Sequence, residues 1–313
     1  MDVAEVLSRA PTILSQEQRE SYLANGYLLL ERVVPQEWID RLNEVTAEFV
    51  ERSRLLTRSD AIFDLEPNHT AENPRLRRLT SPVEQHAAYW EFASQSLLGD
   101  VAADLVGPDV KFHHSKLNFK WSAGGAEVKW HQDIQYWPHT NYSPLTMGIY
   151  LTDVGLEQGP LRVLPGSHEG ELFDLYDDAG AWVGALADRD VARLDTSKAV
   201  DLVGPAGSVT IHNCRTVHSS ARNESGFGRP LLLNVFSAAD AFTYTANPLP
   251  SKYEGAIVRG AAARWAHHDP RPCLLPPDWS GGYTSIFALQ QEEQWDEDQL
   301  ETVQEQHRQM RSR

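Results

Sequence analysis

The first apolar and polar positions of the chain follow a helical spacing. Ser15 and Gln18 form a capping box, the pair of side chains that closes a helix N-terminus, and Asn25-Gly26 favours the left-handed residue that ends a helix. The four residues "YLLL" at 27–30 then predict a short strand. The pattern therefore predicts one helix between the capping box and the glycine, followed by a strand.

A longer helix is predicted to begin near Pro35, because proline is favoured in the first turn of a helix. The apolar residues after it recur every three or four positions and fall on one buried face: Trp38, Ile39, Leu42, Val45 and Phe49. We interpret about residues 1–60 as a helical N-terminal part that supports the rest of the molecule.

The hydrophobic period shortens to two from about residue 110. In "PLTMGIYLTDV" at 144–154, large apolar residues alternate with Thr, Gly and Tyr, which is typical of a strand. "GSVTIHN" at 207–213 and "RPLLLNVFSA" at 229–238 repeat the strand signal. Several short strands separated by turn residues, without alternating helices, favour an antiparallel sandwich or jelly roll over a parallel sheet.

These patterns predict a mainly β protein with flanking helices and a double-stranded β-helix core, which is the cupin-like jelly roll. We expect one domain over residues 1–290, with the jelly-roll core at about 110–240 and a C-terminal covering segment. Residues 291–313 are polar and charged and are predicted to form a separate tail, either a helix or a frayed end.

Composition narrows the range of partners and the location. The 313 residues include 44 acidic and 28 basic side chains, a formal net charge of −16, which disfavours nucleic acid and anionic membranes. The two cysteines, Cys214 and Cys273, form no C-x-x-C motif, and no run of about 18 apolar residues provides a membrane span. We expect a cytoplasmic protein without nucleic-acid or membrane partners, and leave a homo-oligomer open.

The first candidate for chemistry is "VKWHQDIQYW" at 128–137. If residues 129–133 are extended, side chains two positions apart point to the same side, so His131 and Asp133 converge while Gln132 points away. An imidazole and a carboxylate can hold a metal at two points. The chain offers many histidines as a third ligand: His113, His114, His139, His168, His212, His218, His267 and His268.

The segment after His218 distinguishes this histidine from the others. Ser220 follows two residues later, and Arg229 follows eleven residues later at the start of the next strand. We expect a hairpin, which would bring the Arg229 guanidinium beside a metal, where its planar fork suits a carboxylate. Two histidines and one carboxylate leave coordination positions open, as in non-heme iron(II) oxygenases. His212 is the rival third ligand, but it lacks Ser and Arg at the matching distances.

Three ordered motifs and the N-terminal segment carry a family resemblance. They are "WHQD" at 130–133, "GPLRVLPGSHEG" at 159–170, "VHSSARNES" at 217–225 followed by an arginine, and "YLANGYLLLERVVPQEWIDRL" at 22–42. Together they resemble the phytanoyl-CoA dioxygenase family of iron(II)- and 2-oxoglutarate-dependent oxygenases, which includes ectoine hydroxylase. The resemblance implies an enzyme that uses Fe(II), 2-oxoglutarate and O2 to hydroxylate an unactivated C–H bond of a small-molecule metabolite, releasing succinate and CO2.

The resemblance also implies roles for individual residues. His131, Asp133 and His218 would be the catalytic residues that bind iron. Arg229 would bind the distal carboxylate of 2-oxoglutarate, with Ser220 beside it.

A third group of residues precedes the metal motif or follows it. Asn118 is similar in position to an asparagine that contacts 2-oxoglutarate in ectoine hydroxylase, and Lys116 and His114 alternate with it and would face the same cavity. Lys116 could equally be a solvated lysine at a sheet edge. Tyr136 and Trp137 are candidates for substrate contact, although aromatic residues at such positions more often fill a core.

Other interpretations stay open at this point. A non-catalytic cupin-like module that binds a metal and a ligand is one alternative, although it has no need of an arginine that binds a carboxylate. A zinc-dependent hydrolase or isomerase on the same barrel is another, since His and Asp also bind zinc. The acidic segment 171–195 could be a lid over the site or a solvated surface loop.

The overall charge carries a prediction about the substrate. A coenzyme A thioester brings several phosphate charges, and its binding normally relies on clustered basic side chains. The nearest basic run, "NPRLRRL" at 73–79, could be a loop against an acidic surface. We therefore expect a small, free metabolite that is neutral, zwitterionic or cationic rather than an acyl-coenzyme A.

Overall fold

Two antiparallel sheets make up the centre of the molecule. The computed structural model describes residues 3–122, 125–291, 293 and 295–312. The strands are β1 (Tyr27–Leu30), β2 (Phe63–Leu65), β3 (Leu76–Thr80), β4 (Val110–Lys120), β5 (Val128–His131), β6 (Leu145–Tyr150), β7 (Leu161–Val163), β8 (Val200–Leu202), β9 (Val209–Asn213), β10 (His218–Ser220), β11 (Arg229–Ala238) and β12 (Ile257–Arg259). The larger sheet has the order β1-β9-β6-β11-β4-β3-β2, with β12 also paired to β4, and the smaller has the order β5-β10-β7-β8. The predicted mainly β, jelly-roll fold is confirmed.

Helices flank the two sheets. They are α1 (Val3–Ser8), α2 (Gln16–Asn25), α3 (Gln36–Ser53), α4 (Pro82–Gln85), α5 (Ala87–Gln95), α6 (Leu98–Val106), α7 (Asp188–Val191), α8 (Ile286–Gln290) and α9 (Glu297–Arg311). Of these helices, α3, α4 and α6 contact strands of the larger sheet. Leu42 of α3 and Phe92 of α5 share one apolar cluster with Leu117, Met147 and Ile211 of that sheet. None of the helices in the described part of the chain combines the length and the apolar character that crossing a membrane requires.

The helices α2 and α3 form as their sequence signals predict. The Ser15 hydroxyl accepts from the Gln18 backbone N–H, and the Gln18 side chain accepts from the Ser15 N–H, which completes the capping box. α2 ends at Gly26, whose φ of +79° is the left-handed conformation expected there. A Cβ at this glycine would lie 2.5 Å from the His168 ring, so a larger residue would clash there. α3 buries Ile39, Leu42, Val45 and Phe49, while Trp38 is partly buried.

The predicted hairpin from His218 to Arg229 is wrong. β10 pairs with β5 and β7 in the smaller sheet, whereas β11 pairs with β4 and β6 in the larger sheet. The chain between them crosses from one sheet to the other. Asn223 holds this crossover by donating hydrogen bonds to the carbonyl oxygens of Lys120 and Phe227, at 2.8 and 2.7 Å. The short distance in sequence between His218 and Arg229 predicts that their two strands pair with each other. Instead, each strand pairs with strands of a different sheet.

The interpretation of residues 73–79 as a surface loop is also wrong. Most of this segment is β3, which lies between β2 and β4, and Arg77 and Arg78 are only 0% and 2% exposed. The Arg77 guanidinium forms ion pairs with Asp64 and Glu293, at 2.7 and 2.5 Å. Burial of these cations is tolerated because carboxylates and backbone carbonyls accept their hydrogen bonds.

The C-terminal residues include a helix that packs on the body of the molecule. Val303 and Met310 of α9 are buried against Ala61, and Arg311 donates to the carbonyl oxygens of Asn247 and Trp279. Residues 292, 294 and 313 of the predicted tail, and residues 1, 2, 123 and 124 of the predicted domain, lie outside the described residues. The division of the chain at residue 290 stays a prediction.

Candidate active site

His131, Asp133 and His218 meet where β5 and β10 lie side by side. His218 is directly opposite His131 in the antiparallel register. β5 ends at His131, earlier than the predicted extended run, but Gln132 keeps an extended backbone and Asp133 opens a short 3₁₀ turn. The alternation of side chains therefore survives. One ligand atom from each of the three buried residues lies within 4.8 Å of the other two.

Backbone carbonyls orient both histidine rings. The Nδ1 atom of His131 donates to the Lys129 carbonyl and that of His218 donates to the Thr216 carbonyl, each at 2.8 Å. Burial lowers the pKa of His131 to about 4 and holds the pKa of His218 well below its usual value. Both rings are therefore neutral, and each leaves a lone pair on Nε2, the form that binds a metal.

Two side chains orient the Asp133 carboxylate. Its Oδ2 atom accepts hydrogen bonds from Thr146 Oγ1 at 2.8 Å and from His212 Nε2 at 3.2 Å. Its Oδ1 atom is left towards the two ligand histidines, at 3.9 Å from His131 Nε2 and 3.8 Å from His218 Nε2. Burial raises the Asp133 pKa, but Lys116 and the His212 hydrogen bond outweigh burial and hold it well below its usual value. His212 is thus placed as a partner of Asp133.

Gln132 points away from the three ligands and connects them to the segment 171–195. Its Nε2 atom donates to the Arg215 and Glu171 carbonyls at 2.7 and 3.1 Å, and its Oε1 atom accepts from the Phe173 N–H. Phe173 and Leu175 are buried in an apolar cluster. The surface-loop interpretation is therefore wrong for this part of the segment, because its apolar side chains are buried in the same cluster as Tyr136 and Trp137.

A cavity extends from the three ligands to Arg229. Its volume is about 550 Å³ including its open mouth, and Asn118, Lys116, Lys120 and Ser220 also line it. Arg229 is 2% exposed, and its Nε and Nη1 atoms have no hydrogen-bond partner among the described residues. Burial lowers the Arg229 pKa to about 10, which leaves the guanidinium charged at neutral pH.

The ammonium group of the neighbouring Lys120 already donates hydrogen bonds to backbone carbonyl oxygens. Lys120 is paired with Arg229 across β4 and β11, and its Nζ atom donates to the carbonyl oxygens of Ser220 and Ala221. Asn118 Oδ1 accepts no hydrogen bond from any residue that the structure describes. Arg229 is therefore the group in this cavity that is best placed to bind a carboxylate, because its buried N–H groups otherwise stay unsatisfied.

A second, smaller cavity lies on another side of Asp133. It measures about 320 Å³ including its mouth and is lined by Tyr136, Trp137, His114, Lys116 and Arg78, and by Pro248, Leu249, Tyr283 and Ile286. Tyr136 and Trp137 also belong to an apolar cluster, which agrees with the core-filling alternative, and their contact with a substrate stays a prediction. The Tyr136 hydroxyl donates to the Gly184 carbonyl at 2.6 Å, so this polar atom is used in packing.

The sequence missed Arg78 and the C-terminal contributors to the site. Ile286 and Phe287 of α8 line the larger cavity. Gln290 fixes this helix by accepting from the Lys129 N–H and donating to the Gly184 carbonyl, at 2.8 and 2.7 Å. No local signal marks these residues, because their approach to the ligands depends on tertiary packing.

The donor set suits iron(II) and a 2-oxo dicarboxylate. Two neutral imidazoles and one ionised carboxylate are the three protein ligands typical of non-heme iron oxygenases. The unpaired Arg229 guanidinium in the same cavity suits the distal carboxylate of 2-oxoglutarate.

Comparison with known proteins decides the family. The model of the phytanoyl-CoA dioxygenase (PhyH) family matches residues 22–231. This chain belongs to the phytanoyl-CoA dioxygenase family. It is 31% identical over 278 residues to a "Probable alpha-ketoglutarate-dependent hypophosphite dioxygenase" of Stutzerimonas stutzeri, covering 88% of this chain and 96% of that protein. It is 28% identical over 250 residues to an ectoine dioxygenase of Bordetella parapertussis, covering 75% of this chain and 78% of that protein.

Solved structures of this family share the fold. The structure of EctD from S. alaskensis with 2-oxoglutarate and 5-hydroxyectoine has a TM-score of 0.62 and 24% identity, and covers 80% of this chain and 84% of that chain. The predicted class is confirmed: the protein is a 2-oxoglutarate-dependent non-heme iron oxygenase, with Fe(II) as its metal and 2-oxoglutarate as its cosubstrate.

Proposed function

We propose that this phytanoyl-CoA dioxygenase family member hydroxylates an unactivated C–H bond of a small-molecule metabolite. The observation that carries the proposal is the buried Arg229 guanidinium, with unpaired N–H groups, in the same cavity as three convergent metal ligands. His131, Asp133 and His218 would hold the iron. The bound iron(II) would activate O2, the oxidant, of which one oxygen atom would enter the product and the other succinate, formed with CO2 from 2-oxoglutarate.

The protein's own residues bind and orient the two organic reactants. Arg229 would hold the distal carboxylate of 2-oxoglutarate by charge-assisted hydrogen bonds, with Asn118 and Ser220 on the same cavity wall. Trp137 and Ile286 give the smaller cavity apolar walls, which would exclude water and hold a substrate beside the three metal-binding side chains.

A second candidate is oxidation of a P–H bond. It is favoured by the relative named hypophosphite dioxygenase, which matches 88% of this chain. The same metal ligands and the same Arg229 would serve, and only the bond presented in the smaller cavity would differ.

One experiment tests both candidates. The purified chain is incubated without oxygen with iron(II), 2-oxoglutarate and a pool of metabolites that includes hypophosphite, and air is then admitted. We expect succinate to form only with a productive substrate, and mass spectrometry to show a product heavier by one oxygen atom. Asp133→Ala is the control that should form none.

The alternative classes predict different results. A non-catalytic module would bind 2-oxoglutarate without releasing succinate, and a zinc-dependent hydrolase or isomerase would act with zinc in the absence of 2-oxoglutarate. Either result would contradict the proposed function.

The proposed location is the cytoplasm. Cys214 is buried and Cys273 is partly buried, and both are free thiols, which suits a reducing compartment.

A further inference from the structure

We propose that the smaller cavity binds the primary substrate through a negatively charged group, so that the substrate is a small oxyanion such as a carboxylate or a phosphinate. We call this the basic cavity, defined by Arg78, His114 and Lys116 together with Tyr136, Trp137 and Ile286. The proposal rests on the proposed function, because it names the substrate class for the same metal site.

The sheet brings the three basic side chains onto one face. Arg78 of β3 is directly opposite Asn118 of β4, and Thr80 is opposite Lys116. Residues directly opposite each other in an antiparallel pair project to the same face, and residues two apart on one strand do so too. Arg78 therefore shares a face with Asn118, Lys116 and His114, and this face looks into the barrel beside Asp133.

The three side chains have unused hydrogen-bonding capacity. Arg78 is 2% exposed and donates from Nη2 to the Thr284 carbonyl at 2.8 Å, but its Nε has no partner in the part of the chain that the structure describes. His114 is fully buried; its Nδ1 contacts His113 Nδ1 at 2.5 Å, and no described residue is a partner of its Nε2. Lys116 forms no hydrogen bond or ion pair with the described part of the chain. Buried donors rarely stay unpaired in native proteins unless a ligand or ion satisfies them.

The charges at the site do not balance without a further anion. The charges of iron(II) and of the dianion 2-oxoglutarate are equal and opposite, and the Asp133 carboxylate, which interacts with Lys116, offsets one of the cations among Lys116, Arg78 and Arg229. Among the described residues that line the two cavities, Asp133 is the single carboxylate. The nearby Asp64 and Glu293 are paired with Arg77. Arg78 is buried and Lys116 is half-buried near Asp133, so the site keeps an excess of positive charge, which a bound anion would stabilise.

The size of the basic cavity limits the anion to a few heavy atoms. The space is narrow, about 320 Å³ even when its open mouth is included, and Trp137, Leu249 and Ile286 close its walls. An acyl-coenzyme A does not fit such a space. The expectation of a neutral, zwitterionic or cationic substrate came from the net charge of −16 and is replaced here, because the buried field has the opposite sign to the surface.

The test measures binding without turnover. The full chain is loaded with iron(II) and 2-oxoglutarate under anaerobic conditions and titrated calorimetrically with hypophosphite, acetate, acetamide and methylammonium. We expect at least one of the two anions to bind roughly tenfold or more tightly than acetamide, since charge-assisted hydrogen bonds contribute about 1.5 to 3 kcal/mol. A preference for hypophosphite points to a phosphorus oxyanion, and a preference for acetate points to a carboxylate.

Matched variants connect the binding to the basic cavity. Arg78→Gln and Lys116→Gln should each weaken the preferred anion by roughly tenfold or more, and Arg78→Lys should keep part of the affinity. Lys111→Gln is the control, because Lys111 lies on the same strand but stacks on Phe242, 3.8 Å from its ring centre, and lines a different cavity. It should leave anion binding unchanged. Circular dichroism checks the fold of each variant.

Three outcomes would overturn the proposal. They are equal binding of anions and acetamide, binding of no probe at all, and a loss in Arg78→Gln of 2-oxoglutarate affinity rather than probe affinity, which would assign the cavity to the cosubstrate. The proposed function fails separately, if the iron-loaded chain does not bind 2-oxoglutarate or if no substrate stimulates succinate formation.

Discussion

His212 and His218 are six positions apart in the sequence, and their Nε2 atoms make different contacts. His218 Nε2 faces the ligand cluster, whereas His212 Nε2 is bonded to Asp133 Oδ2 at 3.2 Å. His218→Ala should lose stoichiometric iron binding. His212→Ala should keep the iron, with an affinity reduced about 10- to 100-fold, as is typical when a partner of a metal ligand is removed. Competition with a chromogenic chelator measures both, and the reverse order of effects would reassign the third ligand.

Arg229 offers a second prediction at the level of one residue. Arg229→Ala should weaken 2-oxoglutarate binding by about 2 to 5 kcal/mol, which is roughly 30-fold or more, and Arg229→Lys should recover only part of it. Arg162→Ala is a suitable control, because Arg162 pairs with Asp201 at the surface of β7 and β8. Calorimetric titration with 2-oxoglutarate measures the effect, and an unchanged affinity in Arg229→Ala would remove the cosubstrate assignment.

Glu66 provides a prediction about pH and stability. It is 6% exposed, and burial raises its pKa from 4.5 to about 7, against the opposing effect of Arg77 and Arg75. Because the folded pKa is raised, its contribution to stability is full below about pH 4.5 and is lost as the pH rises through 7.

Glu66→Gln mimics the protonated form at every pH. Urea unfolding should therefore show the variant and the parent equal near pH 4.5, with the variant more stable by about 1 to 3 kcal/mol at pH 8. A difference that stays constant with pH would show that Glu66 is not the titrating group.

At the scale of elements, capping residues and hydrophobic spacing correctly predict the helices and strands whose formation depends on residues close together in the sequence. α2 and α3 form where the capping box, the glycine and the apolar spacing place them, since each depends on residues within a few positions. The alternating runs became β6, β9 and β11 for the same reason. The ligand motif could also be predicted, because the alternation from His131 to Asp133 is a property of extended backbone.

The elements that failed depend on contacts distant in sequence. The pairing of β10 with β5 and β7 follows from which strands complete the smaller sheet, and nothing between His218 and Arg229 encodes it. Arg78 escaped notice because it reaches the site only through the pairing of β3 with β4. By its composition the basic run at 73–79 could be a loop, since arginine is seldom buried, and only the tertiary partners of these arginines reveal the exception.

The crossover between β10 and β11 carries a prediction of its own. Asn223 ties it to Lys120, and Arg229 begins the strand that follows. Asn223→Ala should lower the free energy of unfolding by about 1 to 2 kcal/mol. It should also weaken 2-oxoglutarate binding roughly tenfold, because Arg229 loses its fixed position.

Asn43→Ala is the matched control for the crossover. Asn43 donates to the Leu151 carbonyl at 2.8 Å, between α3 and the end of β6, so the variant should lose similar stability and keep its 2-oxoglutarate affinity. Equal losses of 2-oxoglutarate affinity in the two variants would show that general destabilisation, and not the position of Arg229, is responsible.

At the scale of the whole molecule, the surface and the site have opposite charge. Acidic side chains outnumber basic ones by 44 to 28, whereas Arg78 and Arg229 are buried, each 2% exposed. A surface charge acts on an approaching ligand from a distance, while a buried charge acts after entry. The acidic surface should therefore govern the rate of encounter, and the buried cations should govern affinity.

The salt dependence of 2-oxoglutarate binding distinguishes the effect of the acidic surface on the association rate from the effect of the buried cations on the affinity. Ions screen exposed charges over a Debye length of about 10 Å at 0.1 M, and screen buried pairs much less. Raising NaCl from about 0.02 to 0.3 M should increase the association rate constant roughly two- to fivefold, because repulsion by the acidic surface is weakened. Stopped-flow tryptophan fluorescence with the iron-loaded, anaerobic chain measures this rate. Arg229→Ala should bind more weakly yet show the same salt slope, since the slope arises at the surface. A rate that falls with salt would instead show that the buried cations attract 2-oxoglutarate through the mouth of the cavity before it enters.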